Sequence, residues 1–196
     1  MISRPRAVVV AGPSGSGKSW LFPVADFGVD AFNVDDRCAD LNGGSYVAIP
    51  AAVRSRAQRE CEAFVDDHIA RGSSYAVETT LRSTAAIDQA RRARASGFET
   101  VLLFIATGDA AENQRRVALR AHAGGHAATL EEIADIYTRS LANLALAVDV
   151  FEWIELWDNS ELGRPPVLVA TRAQQRWRRR LDPIPKWASV FVPRIT

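Results

Sequence analysis

The hydrophobic pattern along the chain alternates between two periods. Short, largely apolar runs at Ala7–Ala11, Ala31–Val34, Tyr75–Val77 and Thr100–Ala106 are separated by longer stretches in which apolar residues recur at helical spacing. The runs predict buried strands, and Thr100–Ala106 has the character of a central parallel strand. Val53, Ala57, Cys61, Phe64, Val65 and Ile69 predict one face of a long helix, with Pro50 in its first turn and Arg71-Gly72 closing it. Further helices are expected over Lys18–Asp26, from a Ser83 cap through Ala95 to a stop at Gly97, and from an Asp109 cap to a break at Gly124-Gly125. Another begins at Thr129, with Glu131 and Glu132 in its first turn, and reaches about Val148. Phe151–Trp157 and Val167–Thr171 supply the last strands, with Trp153 and Trp157 as sheet residues. This βαβ alternation predicts an α/β fold, a three-layer sandwich in which a mainly parallel sheet carries helices on both faces. The loops are short, so residues 1–196 read as a single domain.

Composition narrows the classes. A chain of 196 residues suits one core. A net charge of +1 supplies no global field for nucleic acid or a membrane surface. Cys38 and Cys61 are too few for a disulfide framework and read as reduced core or near-core residues. Arg4 and Arg6 precede an apolar run too short for a signal peptide, and no stretch approaches membrane-spanning length, so a cytoplasmic protein is expected. The one basic cluster, Arg176-Trp177-Arg178-Arg179-Arg180, reads as a solvated helix with Trp177 packed against the body.

The chemistry starts at Gly12-Pro13-Ser14-Gly15-Ser16-Gly17-Lys18-Ser19, which satisfies G-x-x-x-x-G-K-[ST] at every fixed position and follows the first strand directly. Glycines there let successive backbone N–H groups converge on phosphates, aided by the positive end of the next helix. Lys18 is expected on the β- and γ-phosphates of ATP, and Ser19 Oγ on Mg²⁺. In such sheets ligands bind at the carboxyl ends of the strands. The second strand delivers Asn33, Asp35 and Asp36; the third delivers Glu78, Thr79 and Thr80; the fourth delivers Thr107 and Asp109. Asp35 and Glu78 are candidates to accept a proton from an attacking hydroxyl and to orient a substrate or hold Mg²⁺ through water. Asp36 and Asp109 read as solvated or capping residues. Arg116 and Arg120, four apart, share a helix face suited to a transferring phosphoryl group. With Gly124-Gly125-His126 as a hinge they predict a lid over roughly 115–140. These residues point to an ATP-dependent phosphotransferase. A regulatory ATP-binding protein with little turnover, and a polynucleotide or RNA kinase using Arg176–Arg180, are the rival readings.

The ordered series GPSGSGKS, Asn33-Val34-Asp35, Glu78-Thr79-Thr80-Leu81, Arg116-Val117-Ala118-Leu119-Arg120 with Gly124-Gly125-His126, Tyr137, Arg139-Ser140-Leu141-Ala142-Asn143-Leu144 and Asp158-Asn159-Ser160 resembles the zeta-toxin family, in its short stand-alone branch. The resemblance runs from about Ala7 to Ala170, and Pro185-Lys186-Trp187 looks like that branch's usual ending. It implies an adenylate-kinase-like core and an ATP-dependent kinase acting on a small hydroxylated metabolite, UDP-N-acetylglucosamine in the characterised toxins. It also implies an antitoxin protein as partner. On the matching positions Asp35 is the general base, Glu78 the substrate-contacting acid and Arg120 a lid arginine. Asp158-Asn159-Ser160 falls where the base or ribose of the nucleotide is often approached. One departure stands out. Asp135 and Ile136 occupy places where the short branch carries arginines before Tyr137, which leaves the second lid arginine either absent or replaced by Arg139.

Overall fold

The computed structural model describes residues 4–46, 48–122 and 129–193, and of residues 120–122 the backbone alone. The sheet has seven strands: β1 (Arg6–Ala11), β2 (Asp30–Asn33), β3 (Tyr75–Thr79), β4 (Glu99–Ala106), β5 (Trp153–Asp158), β6 (Val167–Ala173) and β7 (Arg176–Arg179). Their spatial order is β2-β3-β1-β4-β5-β6-β7. The first five run parallel, and β6 and β7 add an antiparallel edge. The helices are α1 (Lys18–Leu21), α2 (Val34–Leu41), α3 (Ala51–Arg71), α4 (Ala85–Ala95), α5 (Ala110–His122) and α6 (Leu130–Ala147).

Both faces of the central strands are covered, which explains their unbroken apolar runs. Ala7, Val9 and Ala11 of β1, with Leu102, Phe104 and Ala106 of β4, face a large core completed by α3, α4, α6 and the C-terminal Trp187, Ala188 and Val192. Val8, Val10, Leu103 and Ile105 face the other way, under Leu21, Phe22, Val24 and Phe27. Cys38 and Cys61 are buried free thiols, and burial pushes Cys61 up to about 12. No helix among the described residues is long and apolar enough to cross a membrane.

Several boundaries follow the expected local chemistry. α3 starts after Pro50 and ends in a Schellman motif, with Gly72 at φ 63 and the Ser73 N–H donating to His68 O at 3.0 Å. α6 opens with a full capping box between Thr129 and Glu132, and Asp109 caps α5 by accepting the Glu112 N–H at 2.9 Å.

Four elements depart from the sequence reading. The helix expected over Lys18–Asp26 stops at Leu21, because Pro23 disfavours helical backbone in the residue before it; a short 3-10 turn, Val24–Phe27, follows. The acids after β2 do not sit on a strand end: Asn33 accepts the N–H groups of Asp35 and Asp36 and starts α2, so both acids occupy a helical first turn. Ser83 does not cap α4; Thr84 holds the cap position without a side-chain hydrogen bond. Arg176–Arg180 is not a helix. Gln174 and Gln175 take φ of 50° and 62°, the left-handed pair of a tight hairpin turn, and send the chain back along β6 as β7. Trp177 packs against the core as expected. The proposed hinge Gly124-Gly125-His126 lies outside the described residues.

Candidate functional site

Strand register assembles the site. β1 lies between β3 and β4, with Val10 opposite Glu78 and Ala11 opposite Thr79. β2 lies beyond β3, with Asn33 opposite Glu78. The loop that leaves β1 therefore emerges beside the carboxyl ends of β2 and β3, and α2 begins at the same edge.

Three glycines shape that loop, each at positive φ. A Cβ on Gly12 would sit 2.0 Å from the Ile105 carbonyl oxygen, one on Gly15 2.8 Å from Asn113 O, and one on Gly17 2.5 Å from Asn159 Nδ2. Two asparagines hold its carbonyls: Asn113 Nδ2 donates to Ser14 O at 2.6 Å and Asn159 Nδ2 to Ser16 O at 2.8 Å. Gly12→Ala should therefore lose about 3 kcal/mol of stability together with ATP binding. Gly28→Ala, whose Cβ meets nothing, should cost about 1 kcal/mol through its φ of 67° and leave ATP binding intact. Thermal melts and an ATP titration of both variants check this.

Lys18 is buried, and its Nζ donates to Gly12 O at 2.9 Å and Pro13 O at 3.2 Å. Ser19 Oγ donates to Glu78 Oε1 at 2.9 Å. Glu78 is only 6% exposed. Burial pushes its carboxyl above the ordinary carboxylate range, opposed by the Lys18 ammonium and the Ser19 hydroxyl and reinforced by Asp35 and Asp36.

A cavity of about 610 Å³ opens over the loop, lined among others by Lys18, Ser19, Asp35, Asp36, Glu78 and Arg116. A smaller one of about 90 Å³ adjoins it, sharing Asp35 and Glu78 and adding Thr79, Thr80, Arg54 and Arg82. Asp35 is exposed, and its carboxylate makes no hydrogen bond or ion pair among the described residues. Asp36 accepts the Tyr46 hydroxyl at 2.9 Å. Thr79 Oγ1 accepts the Leu81 N–H, and Thr80 O accepts the Ser140 hydroxyl, so both threonines are engaged in shaping the turn after β3.

Arg116 is fixed by Glu112, Nε to Oε1 at 2.7 Å, with its Nη2 buried and unpartnered. Four buried side-chain polar atoms among the described residues lack a partner, and three of them belong to this site: Ser16 Oγ, Glu78 Oε2 and Arg116 Nη2. Buried polar groups are normally paired, so this concentration marks a place built to receive polar ligand atoms. The Arg120 side chain lies outside the described residues. Arg139 does not line the cavity; it pairs with Asp135 at 2.8 Å on an exposed helix face, while Ile136 is buried.

Sequence reasoning missed Asn113, Trp20 and Tyr46, and it reached Asn159 only through the family resemblance, as a residue near the base or ribose rather than as a brace of the loop. Single asparagines carry no spacing signal. Trp20, 69% exposed beside Ser19, lines the large cavity with Tyr46 and was overshadowed by the adjacent motif.

No protein-family model matches the sequence, and no curated protein does. Solved structures do match. A chain of the PezAT chromosomal toxin-antitoxin system of Streptococcus pneumoniae aligns with a TM-score of 0.63 at 18% identity, over 84% of this chain and 71% of that one. A chain of the AvrRxo1-ORF1:-ORF2 complex with ATP aligns with a TM-score of 0.69 at 16% identity, over 91% of this chain and 61% of that one. The chain shares the fold of these structures, a mostly parallel sheet flanked by helices. A putative kinase from Chloroflexus aurantiacus shares this fold at a TM-score of 0.51 and 18% identity, over 70% of this chain and 79% of that one. The chain thus spans about three-fifths of the AvrRxo1 complex chain it matches, 61%.

Proposed function

We propose that the chain is an ATP-dependent kinase of zeta-toxin type that moves the ATP γ-phosphate to a hydroxyl of a small metabolite. The observation that carries this reading is the convergence, in one cavity, of the phosphate loop, an exposed carboxylate (Asp35), a buried one (Glu78) and a preset guanidinium (Arg116). Lys18 and the loop amides take the phosphates, and Arg116 Nη2 meets charge developing on the transferring group. Ser19 and Glu78 offer hard oxygen donors side by side, and the orphaned Glu78 Oε2 fits them to a Mg²⁺ site, with Ser19 as ligand. Bound Mg²⁺ would neutralise phosphate charge. Asp35 accepts the acceptor's hydroxyl proton, and Glu78 with Thr79 and Thr80 orients the acceptor. Arg120 is assigned to the closing lid by its place in the motif series.

Trp20 and Tyr46 line the large cavity together with Asp35 and Asp36 and would offer aromatic surface to the acceptor's ring. UDP-N-acetylglucosamine is the acceptor we propose first, on the family resemblance. An antitoxin partner is proposed on the same ground and on the toxin-antitoxin system that shares the fold.

The test is a mass-spectrometric screen of a bacterial metabolite extract, supplemented with UDP-N-acetylglucosamine and incubated with the protein and Mg-ATP. A metabolite gaining one phosphoryl group, and failing to gain it with Lys18→Ala, is expected. ATP binding with slow hydrolysis and no phosphorylated metabolite would establish the regulatory reading instead.

A further inference from the structure

The phosphate loop has a support that reaches it from the far end of the chain. Trp187 is 6% exposed, its ring 6.0 Å from that of Phe104, and its indole Nε1 donates to Asp158 Oδ2 at 2.6 Å. Asp158 closes β5 and also accepts from Ser160, N–H to Oδ1 at 3.0 Å and Oγ to Oδ2 at 2.9 Å. These three donors fix the turn that holds Asn159. The Asn159 N–H donates to Ala106 O at 2.8 Å, and its side-chain amide reaches the loop at Ser16 O. Gly17 leaves room for that amide, since a Cβ there would stand 2.5 Å from Asn159 Nδ2. Trp187 itself does not line the cavity over the loop.

We propose that Trp187 is a positioning residue for the phosphate loop, acting through Asp158 and Asn159, so that the C-terminal segment sets the affinity for Mg-ATP. The physical basis is direct. An amide held on the carbonyl of Ser16 fixes the orientation of the adjoining peptide group of the loop, and preorganised donors bind anions better than donors that must be turned into place. A hydrogen bond to a carboxylate is among the stronger kind, so the Asp158 turn loses definition without the indole N–H. This inference rests on the reading of the loop as an ATP site.

The experiment is a Mg-ATP titration by calorimetry on the full chain. It compares wild type, Trp187→Phe, Asn159→Ala and the double variant, with Val192→Ala as a control that also disturbs the buried C-terminal segment. Trp187→Phe should weaken Mg-ATP binding about tenfold, about 1.4 kcal/mol. Asn159→Ala should weaken it at least as much, and the double variant should match Asn159→Ala alone, because the two residues act in series. Val192→Ala should lower the melting temperature without changing affinity. Asp158→Asn, which removes the charged acceptor from the other side, reproduces the Trp187→Phe loss if that variant does not fold. Wild-type affinity in Trp187→Phe or Asp158→Asn, additive losses in the double variant, or an equal loss in Val192→Ala overturns the proposal. Failure of wild type to bind Mg-ATP overturns the ATP-site reading instead.

Discussion

Asp35→Asn is expected to lower phosphoryl transfer by about 10²- to 10⁴-fold while leaving the Mg-ATP dissociation constant unchanged. The carboxylate stands in the first turn of α2, exposed, without a hydrogen bond or ion pair among the described residues, and it lines both cavities. An asparagine keeps the volume and can still sit in that turn, but it cannot take the proton of an attacking hydroxyl. Asn33, not Asp35, supplies the helix cap by accepting the Asp35 and Asp36 N–H groups, so the substitution should spare the fold. Equal melting temperatures, together with separate kcat and ATP-affinity measurements, make the comparison clean. A transfer rate within twofold of wild type would remove Asp35 from the reaction.

Glu78→Gln is expected to do two opposite things. It should raise the melting temperature at neutral pH and reduce transfer by about 100-fold or more. Glu78 is buried, and its folded-state carboxyl is pushed above the ordinary value of 4.5, mainly by desolvation. The native state therefore holds its proton to higher pH than the unfolded chain does. Stability from this group is fully present below the ordinary carboxylate range and is lost as pH rises through the raised value. The substituted amide would keep an oxygen for the Ser19 hydroxyl, carry no charge and remove that pH dependence. The stability gain should accordingly be largest at about pH 7–8 and vanish near about pH 4. Thermal melts across that range check the sign, and a gain that grew on acidification would contradict it. The loss of activity follows because a neutral amide can neither support the Mg²⁺ beside Ser19 nor accept the acceptor's hydroxyl as strongly.

The sequence was legible where one local rule decides the outcome. β1 and its phosphate loop follow from an apolar run ending in spaced glycines. α3 follows from Pro50 at its start and Gly72 at its end, and α6 from the Thr129–Glu132 box. It was less legible where two rules compete. Pro23 cut α1 short despite an apolar continuation. The polar stretch after Asn33 looked like a run of strand-end acids, and only its capping geometry shows that it is a helix. β7 was hidden because its turn uses Gln174 and Gln175 where hairpins usually place glycine or asparagine, and because a run of arginines resembles a solvated helix. At the site, Asp35, Glu78, Arg116, Lys18 and Ser19 were visible as residue types at strand ends, and the structure brings them to one cavity. The bracing role of Asn113 and Asn159 was not visible, since it depends on contacts between Asn113 and Ser14 and between Asn159 and Ser16, each far apart in sequence. Arg139 shows the converse: a residue suggested by its position on α6 turns to its neighbour Asp135 and away from the cavity.

The central claim is transfer of the γ-phosphate to a small-molecule hydroxyl rather than its release to water. The direct measurement follows γ-labelled ATP with purified protein, Mg²⁺ and UDP-N-acetylglucosamine or the acceptor found by the screen, and partitions the label between a phosphate ester and inorganic phosphate. The account predicts that most of the label enters the ester in the wild-type protein and that ester formation collapses in Asp35→Asn. Label appearing only as inorganic phosphate, at the same rate with and without every acceptor tried, would contradict it.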